Sequence, residues 1–163
     1  MAKHTDLREF QQNLIDRLQA AGTSEERVTT MGIQIAGRNC LVDMEDISEV
    51  LPVPILEAVP FARHWFRGMA NVRGNLYGVV DLAAYEGSGI TKDDVSNRIL
   101  LVANRYSFNV ALLVDRVLGL RDARQWRQVD GVETEFQDEQ GATWKKLDVS
   151  GLLKQAEFLQ ISS

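Results

Sequence analysis

Five residues recur in this chain at one interval and constrain its fold more than any other feature. Gly74, Tyr77, Val80, Asp81 and Leu82 return in kind as Gly141, Trp144, Leu147, Asp148 and Val149. A glycine, an aromatic three places on, then aliphatic, aspartate, aliphatic, repeated at the same spacing, marks a duplicated unit. A second echo agrees with it. Leu41 to Val50 and Ala111 to Leu120 both read as the return strand of a hairpin running into an aliphatic third strand. Two similar units of about five short strands each predict two small β-barrels side by side. Barrel closure removes the exposed edges that short strands otherwise leave. Neither half is long enough to bury a generous core alone, so the lobes should share an interface.

Composition narrows the function. The 163 residues suit one ordinary domain or two tightly joined lobes. Hydrophobic residues make up 45% of the chain, which is enough for a core and excludes wholesale disorder. A net charge of −5 argues against nucleic acid and against anionic membrane surfaces, both of which want a basic face. Cys40 is the only cysteine, so no internal disulfide and no cysteine-based zinc site is available. The N-terminal residues lack the apolar core of a signal peptide, and no window holds the roughly 18 apolar residues of a membrane span. The expectation is a soluble, cytoplasmic protein.

The local patterns place the elements. In Thr5 to Ala21, Leu7, Phe10, Leu14, Ile15 and Leu18 fall on one face of a helix that Gly22 can end. Residues 1–27 therefore read as an amphipathic helix and linker, and 28–159 as the β-rich domain. That apolar stripe needs cover, either on its own domain or on a partner. Met31, Ile33 and Ile35 alternate as a strand, Gly37 to Asn39 read as a turn, and Cys40 to Met44 returns. Pro52 to Arg67 holds all three prolines and reads as loop with a short helical turn. Glu86 to Asn97 reads as a polar surface loop. Ile99 to Ala103 and Phe108 to Val114 form a strand pair, Val132, Thr134 and Phe136 a late strand, and Ser150 to Leu159 a closing helix with Leu152, Leu153, Ala156 and Leu159 inward.

Between Gly68 and Leu82, two apolar runs flank Gly74 and Asn75, which reads as a hairpin with a II′ turn because glycine supplies the positive φ. Arg73 stands just before that turn, and Asp81 is placed to cap a short helix. This segment resembles the signature of the CheW family, adaptor domains of bacterial chemosensory systems, in its Gly68, its Asn71-Val72-Arg73-Gly74 turn and its Val80-Asp81-Leu82 sequel. The resemblance covers Met31 to Leu153. It implies a mainly β fold of two five-stranded SH3-like barrels related by pseudo-symmetry, interleaved, with a groove between them and helices at both ends. The wording from Trp65 to Tyr77 resembles the branch that serves type IV pilus twitching motility. The chain departs from the flagellar-type pattern at Gly78, near a common proline, and in the polar run Thr134 to Gln140.

The resemblance further implies a non-catalytic adaptor without cofactor or metal. It would couple the cytoplasmic tip of a methyl-accepting chemoreceptor to the regulatory domain of a CheA-like histidine kinase, recruited to receptor arrays at the inner membrane. One barrel would dock the kinase, and the groove holding Arg73 would receive the receptor. The implied partner-binding residues are Arg73, Ile47, Glu49, Gly68, Asn71 and Gly74. Arginine suits such a surface, since its planar fork grips carboxylates and stacks on apolar groups. Glu49 taken alone is equally a solvated charge. A flagellar coupling protein, an unrelated SH3-like peptide-binding module and an acidic metal-dependent enzyme stand as alternatives.

Catalysis finds little footing. His4 and His64 lack any HxxxH or HExxH partner, and no nucleophile elbow, P-loop or dinucleotide fingerprint is present. Asp43 and Glu45 would point to one face of a strand and Asp46 to the other, so they do not converge on a cation. Asp81 and Asp148 read as helix caps, and Cys40 as a small buried hydrophobe.

Overall fold

The computed structural model describes residues 29–155. The expected helix from Thr5 to Ala21, and Ala156 and Leu159 of the closing helix, lie outside the described residues. Two hairpins set the scaffold. Strands β1 (Thr30–Ile35) and β2 (Arg38–Asp43) pair antiparallel, as do β6 (Arg98–Val102) and β7 (Val110–Val114). The first turn is Ala36 and Gly37 rather than Gly37 to Asn39. Ile35 pairs directly with Arg38, and both turn residues have positive φ, 52° and 75°, the geometry that matches strand twist in a two-residue hairpin.

Around these hairpins lie β3 (Ile47–Pro52), β4 (Phe66–Val72), β5 (Asn75–Asp81), β8 (Arg116–Leu120), β9 (Arg127–Gln128), β10 (Glu135–Gln137) and β11 (Thr143–Lys146). Helix α1 spans Leu82–Tyr85 and α2 spans Val149–Lys154. The strands form a six-stranded sheet, β8-β1-β2-β11-β10-β9, and a five-stranded sheet, β3-β6-β7-β5-β4. The protein is thus mainly β, with two SH3-like units. The sixth strand in the first sheet is the two-residue β9, which pairs with β10 through Gln128 and Arg127. Two polar residues gave no strand signal. The late strand is only Glu135 to Gln137, because Val132 sits in a turn, its N–H donating to the Val129 carbonyl at 3.1 Å. Residues 53–65 hold turns and bridge residues at Glu57 and Ala62 but no helical turn.

The duplication is present in the register. In the parallel pairing of β5 with β7, Gly78 faces Val110; in that of β11 with β2, Lys145 faces Cys40. Those positions correspond under the sequence repeat. Ser48 is the bulged residue between β3 and β6, and its repeat counterpart Leu118 is the bulged residue between β8 and β1. Each sheet therefore combines the opening hairpin of one repeat with the later strands of the other. All strands of the five-stranded sheet fall between residues 47 and 114, nested inside the segments that build its neighbour.

The runs from Ile99 to Val102 and from Ala111 to Val114 are apolar without alternation because both faces of the second sheet are buried. Leu100, Val102, Leu112 and Val114 pack toward the first sheet with Met31, Ile33, Val42, Leu152 and Leu153. Ile99, Leu101, Ala111 and Leu113 pack inside their own lobe with Ala70, Val72 and Val79. The shared interface expected from chain length is the larger of these two clusters. Cys40 lies within it, and burial pushes its thiol up to about 11, with the Glu86 carboxylate adding to the effect. Since only the thiolate reacts, alkylation of native Cys40 by iodoacetamide near neutral pH should run at least about a hundredfold slower than in denaturant. Mass spectrometry of timed quenches measures this, and comparable rates would contradict the buried placement.

Candidate functional site

The β4–β5 hairpin turns one residue earlier than its sequence suggests. Val72 pairs with Asn75, so Arg73 and Gly74 are the central residues, with φ 50° and 86°. Two positive φ values make this the I′ arrangement rather than the expected II′ turn after Arg73. Asn71 supports it: its Oδ1 accepts the Gly74 N–H at 2.9 Å. Asn71, Arg73 and Gly74 thus come together as one turn, with Arg73 at its tip.

From that tip Arg73 reaches Glu49 on β3. Its Nη1 donates to Glu49 Oε1 at 3.1 Å and its Nη2 to Oε2, a two-pronged ion pair. In hydrogen-bond order β3 and β4 are the opposite edges of the five-stranded sheet. The pair therefore spans the seam where the sheet curls back on itself. Hydrogen bonding to Arg73 holds the Glu49 carboxyl below its usual range and, reciprocally, raises the Arg73 guanidinium. Both stay charged throughout the neutral range. The Arg73 side chain remains 67% exposed while so engaged, leaving an arginine fork that is oriented yet accessible.

The repeat provides an internal comparison. Counterparts of Arg73 and Glu49 in the other lobe are Gln140 and Gly119, which carry no charge. The two lobes of common architecture thus differ at this position, where one carries a guanidinium paired with a carboxylate and the other does not.

Gly68 serves a different segment. Its φ is 130°, and a Cβ there would lie 2.5 Å from the Glu57 carbonyl oxygen. Glu57 and Met69 exchange both backbone hydrogen bonds, at 2.9 and 2.8 Å, so Gly68 lets the 53–65 loop seat against β4. Ile47 sits half-buried against the inter-lobe core and opposite Val102.

Asp81 caps α1, accepting the Ala84 N–H at 3.3 Å, and does more than a cap. Its fully buried carboxylate also accepts from Thr91 N and Oγ1, at 2.8 and 2.7 Å, and from Arg67 Nη1 at 3.1 Å. The stretch from Glu86 to Asn97, expected as a simple surface loop, is anchored through this carboxylate, with Thr91 and Asn97 buried. Asp148 caps α2 through the Gly151 N–H at 3.0 Å. Asp43 pairs with Lys146 at 3.4 Å, while Asp46 accepts from Arg105 and Tyr106. Among the described residues no group of three or more His, Cys, Asp or Glu is placed to hold a metal ion, and no helix is long and apolar enough to cross a membrane.

Two clefts stand near the lobes. One of 550 Å³ is lined by Val53, Leu56, Arg67, Asp93 and Val95, and one of 370 Å³ by Gln34, Gly37, Ala83, Lys92 and Asp115 among others. Arg73 and Glu49 line neither, so the arginine stands on a projecting turn rather than in these hollows. Leu76, 52% exposed beside Asn71 on the paired strand, belongs to the same surface. Leu76 was not singled out from sequence, because an isolated leucine in a strand reads as core.

Comparison with known proteins agrees with this architecture. The model of the CheW-like domain matches residues 29–157. The chain is 32% identical over 91 residues to Protein PilI of Pseudomonas aeruginosa, covering 56% of this chain and 51% of that protein. It is 36% identical over 78 residues to Chemotaxis protein CheW of Thermotoga maritima, covering 48% and 50%. The match thus spans about half the length of these curated relatives. Among solved structures, the scaffolding protein TtCheW of Thermoanaerobacter tengcongensis superposes with a TM-score of 0.65 at 19% identity, over 78% of this chain and 92% of that one.

Proposed function

This chain belongs to the CheW-like domain family, and from that premise we propose that it is a non-catalytic adaptor coupling chemoreceptors to a CheA-like histidine kinase. The observation that carries the reading is the accessible Arg73 fork, oriented by Glu49 at the seam of one lobe and without a charged counterpart in the other. Arginine anchors dominate many protein interfaces, and an anchor already held in its bound geometry loses less entropy on docking. We assign Asn71 and Gly74 to shaping that turn, Glu49 to aiming the guanidinium, Gly68 to seating the adjoining loop, and Ile47 to supporting the strand from beneath. Signal would pass as a change in how the partners are held, with no chemistry in this chain.

The output we favour is type IV pilus twitching motility, on the likeness to Protein PilI and the wording from Trp65 to Tyr77. Recruitment to receptor arrays at the inner membrane follows from that role. Flagellar chemotaxis is the second reading, favoured by the comparable likeness to Chemotaxis protein CheW. Deleting the gene and scoring surface twitching beside swimming separates them.

Arg73→Ala should weaken binding to purified receptor tip or kinase roughly thirtyfold, as hot-spot arginines do. Melting should hardly change, because an exposed turn charge contributes little to folding. Wild-type affinity of the variant for both partners would remove the site. Failure of the wild type to bind any CheA-like kinase or receptor would remove the function.

A further inference from the structure

Among the described residues the chain passes from one sheet to the other at two places, through the single 3-10 turn Met44–Asp46 and through Asp115. Each crossing delivers a strand to the hairpin it pairs with, β3 to β6 and β8 to β1, and each carries an aspartate that holds the tip of that hairpin. Asp115 accepts the Gly37 N–H at 2.9 Å, a backbone bond that any non-proline residue at 37 would supply. Asp46 engages side chains instead. Its Oδ1 accepts from the Tyr106 hydroxyl and from Arg105 Nη2, and the same Nη2 donates to the Tyr106 oxygen at 2.9 Å, which closes a triangle. Asp46 is only 8% exposed. A buried carboxylate paired with a guanidinium is a poor source of net stability, and apolar replacements often do as well. What a satisfied network of this kind does supply is a single geometry.

The strand that Asp46 introduces needs one. β3 breaks register at Ser48, whose Oγ donates to the Leu101 carbonyl at 3.3 Å, so that Ile47 lies opposite Val102 and Glu49 opposite Leu101. A bulge re-aims the side chains beyond it, and a slip of one residue would turn Glu49 to the other face of the sheet. Asp46 directly precedes the strand, and its carbonyl accepts the Ala103 N–H at 2.8 Å. We propose that Asp46, Arg105 and Tyr106 are positioning residues for the Arg73 surface, a clamp that sets the register of β3 and so aims Glu49 at the guanidinium. Arg105 and Tyr106 stand on the turn between β6 and β7 and act on Arg73 only through β3. The proposal rests on the adaptor reading for what Arg73 binds, and on geometry alone for what aims it.

Arg105→Gln and Tyr106→Phe each open the triangle while leaving Arg73 and Glu49 in place. The Arg105 side chain is 54% exposed, so its replacement leaves the core intact. Pairing with Arg73 holds the Glu49 carboxyl below its usual range, and NMR titration of that carboxyl therefore reads the aim without any partner. In both variants it should rise toward the ordinary glutamate range. Binding to purified kinase or receptor tip should weaken about fivefold in each, and that loss should vanish when Arg73 is already alanine, because residues that act as one unit are not additive. Arg105→Lys, which keeps a cation for Asp46, should restore most of both. A Glu49 titration unmoved in both variants would overturn the clamp. So would a binding loss that persists undiminished in the Arg73→Ala background, the mark of general destabilisation. If the wild-type chain bound neither partner while Glu49 still shifted in the variants, the adaptor reading would fall and the clamp would stand.

Discussion

Trp144→Ala should remove about 3–5 kcal/mol of folding free energy, the range for truncating a buried aromatic. Trp144 is 5% exposed and lies on β11 of the six-stranded sheet. Gly32 on β1 leaves it room: a Cβ at that position would lie 2.9 Å from the indole ring. Trp126 packs against it with ring centres 5.3 Å apart, and the Arg121 guanidinium lies 5.8 Å from the ring centre. The indole N–H donates to Asp138 Oδ2 at 2.9 Å. Asp138 would not be orphaned by the change, since it also accepts the Gln140 and Ala142 N–H groups at 2.9 and 2.8 Å. The loss is therefore a packing loss, and Trp144→Phe should recover most of it, leaving a deficit of about 1 kcal/mol for the hydrogen bond. Typical stabilities of 5–15 kcal/mol make the alanine variant marginal. Urea titration of both variants reads the difference, and an alanine variant within about 1 kcal/mol of wild type would show that the lobe collapses onto the space.

Asp81→Ala should cost about 3 kcal/mol, by removing one partner of a buried ion pair. Three donors converge on its carboxylate besides the α1 cap: Thr91 N, Thr91 Oγ1 and Arg67 Nη1. Thr91 is 6% exposed, so its N–H would be left without an acceptor and nearly without water. Arg67 suffers less, because it keeps the Thr91 carbonyl and Asp93, both at 3.3 Å. Asp81→Asn should not rescue, since its amide would face donors with a donor. Thermal melts and hydrogen exchange across residues 86–97 test this: the melt should fall and the loop should lose protection. Partner affinity of the folded fraction should hold, which is the reverse of what Arg73→Ala does. Full protection of the loop in the alanine variant would contradict the anchoring role.

Much of the architecture was legible because the repeat forces it. Tyr77 and Trp144, Asp81 and Asp148, and the aliphatic pairs around them announce two like units, and the register of the parallel pairings obeys that correspondence. The ends of elements were less legible. The turn at Arg73 and Gly74 shifted by one place because an arginine occupies the left-handed region that sequence reasoning reserves for glycine or asparagine. At the candidate site, Arg73 and Glu49 were each visible only through a family likeness. Their contact joins residues far apart in sequence across a barrel seam, and no local pattern encodes that. Arg67 reads as a plain surface charge until β5 brings Asp81 beneath it.

The nesting of one sheet inside the other fixes an order of events during synthesis. The five-stranded sheet has all its strands once residue 114 has left the ribosome. Hairpin β1–β2 emerges first yet waits longest, because its flanking strands β8 and β11 come from residues 116–146. During that interval Met31, Ile33 and Val42 on the hairpin, and Leu100, Val102, Leu112 and Val114 on the finished sheet, lack the cover that Val149, Leu152 and Leu153 later supply. The nascent chain thus carries an apolar face whose closure must await residues 116–146, which makes the synthesis of that stretch the period when this protein most depends on chaperones.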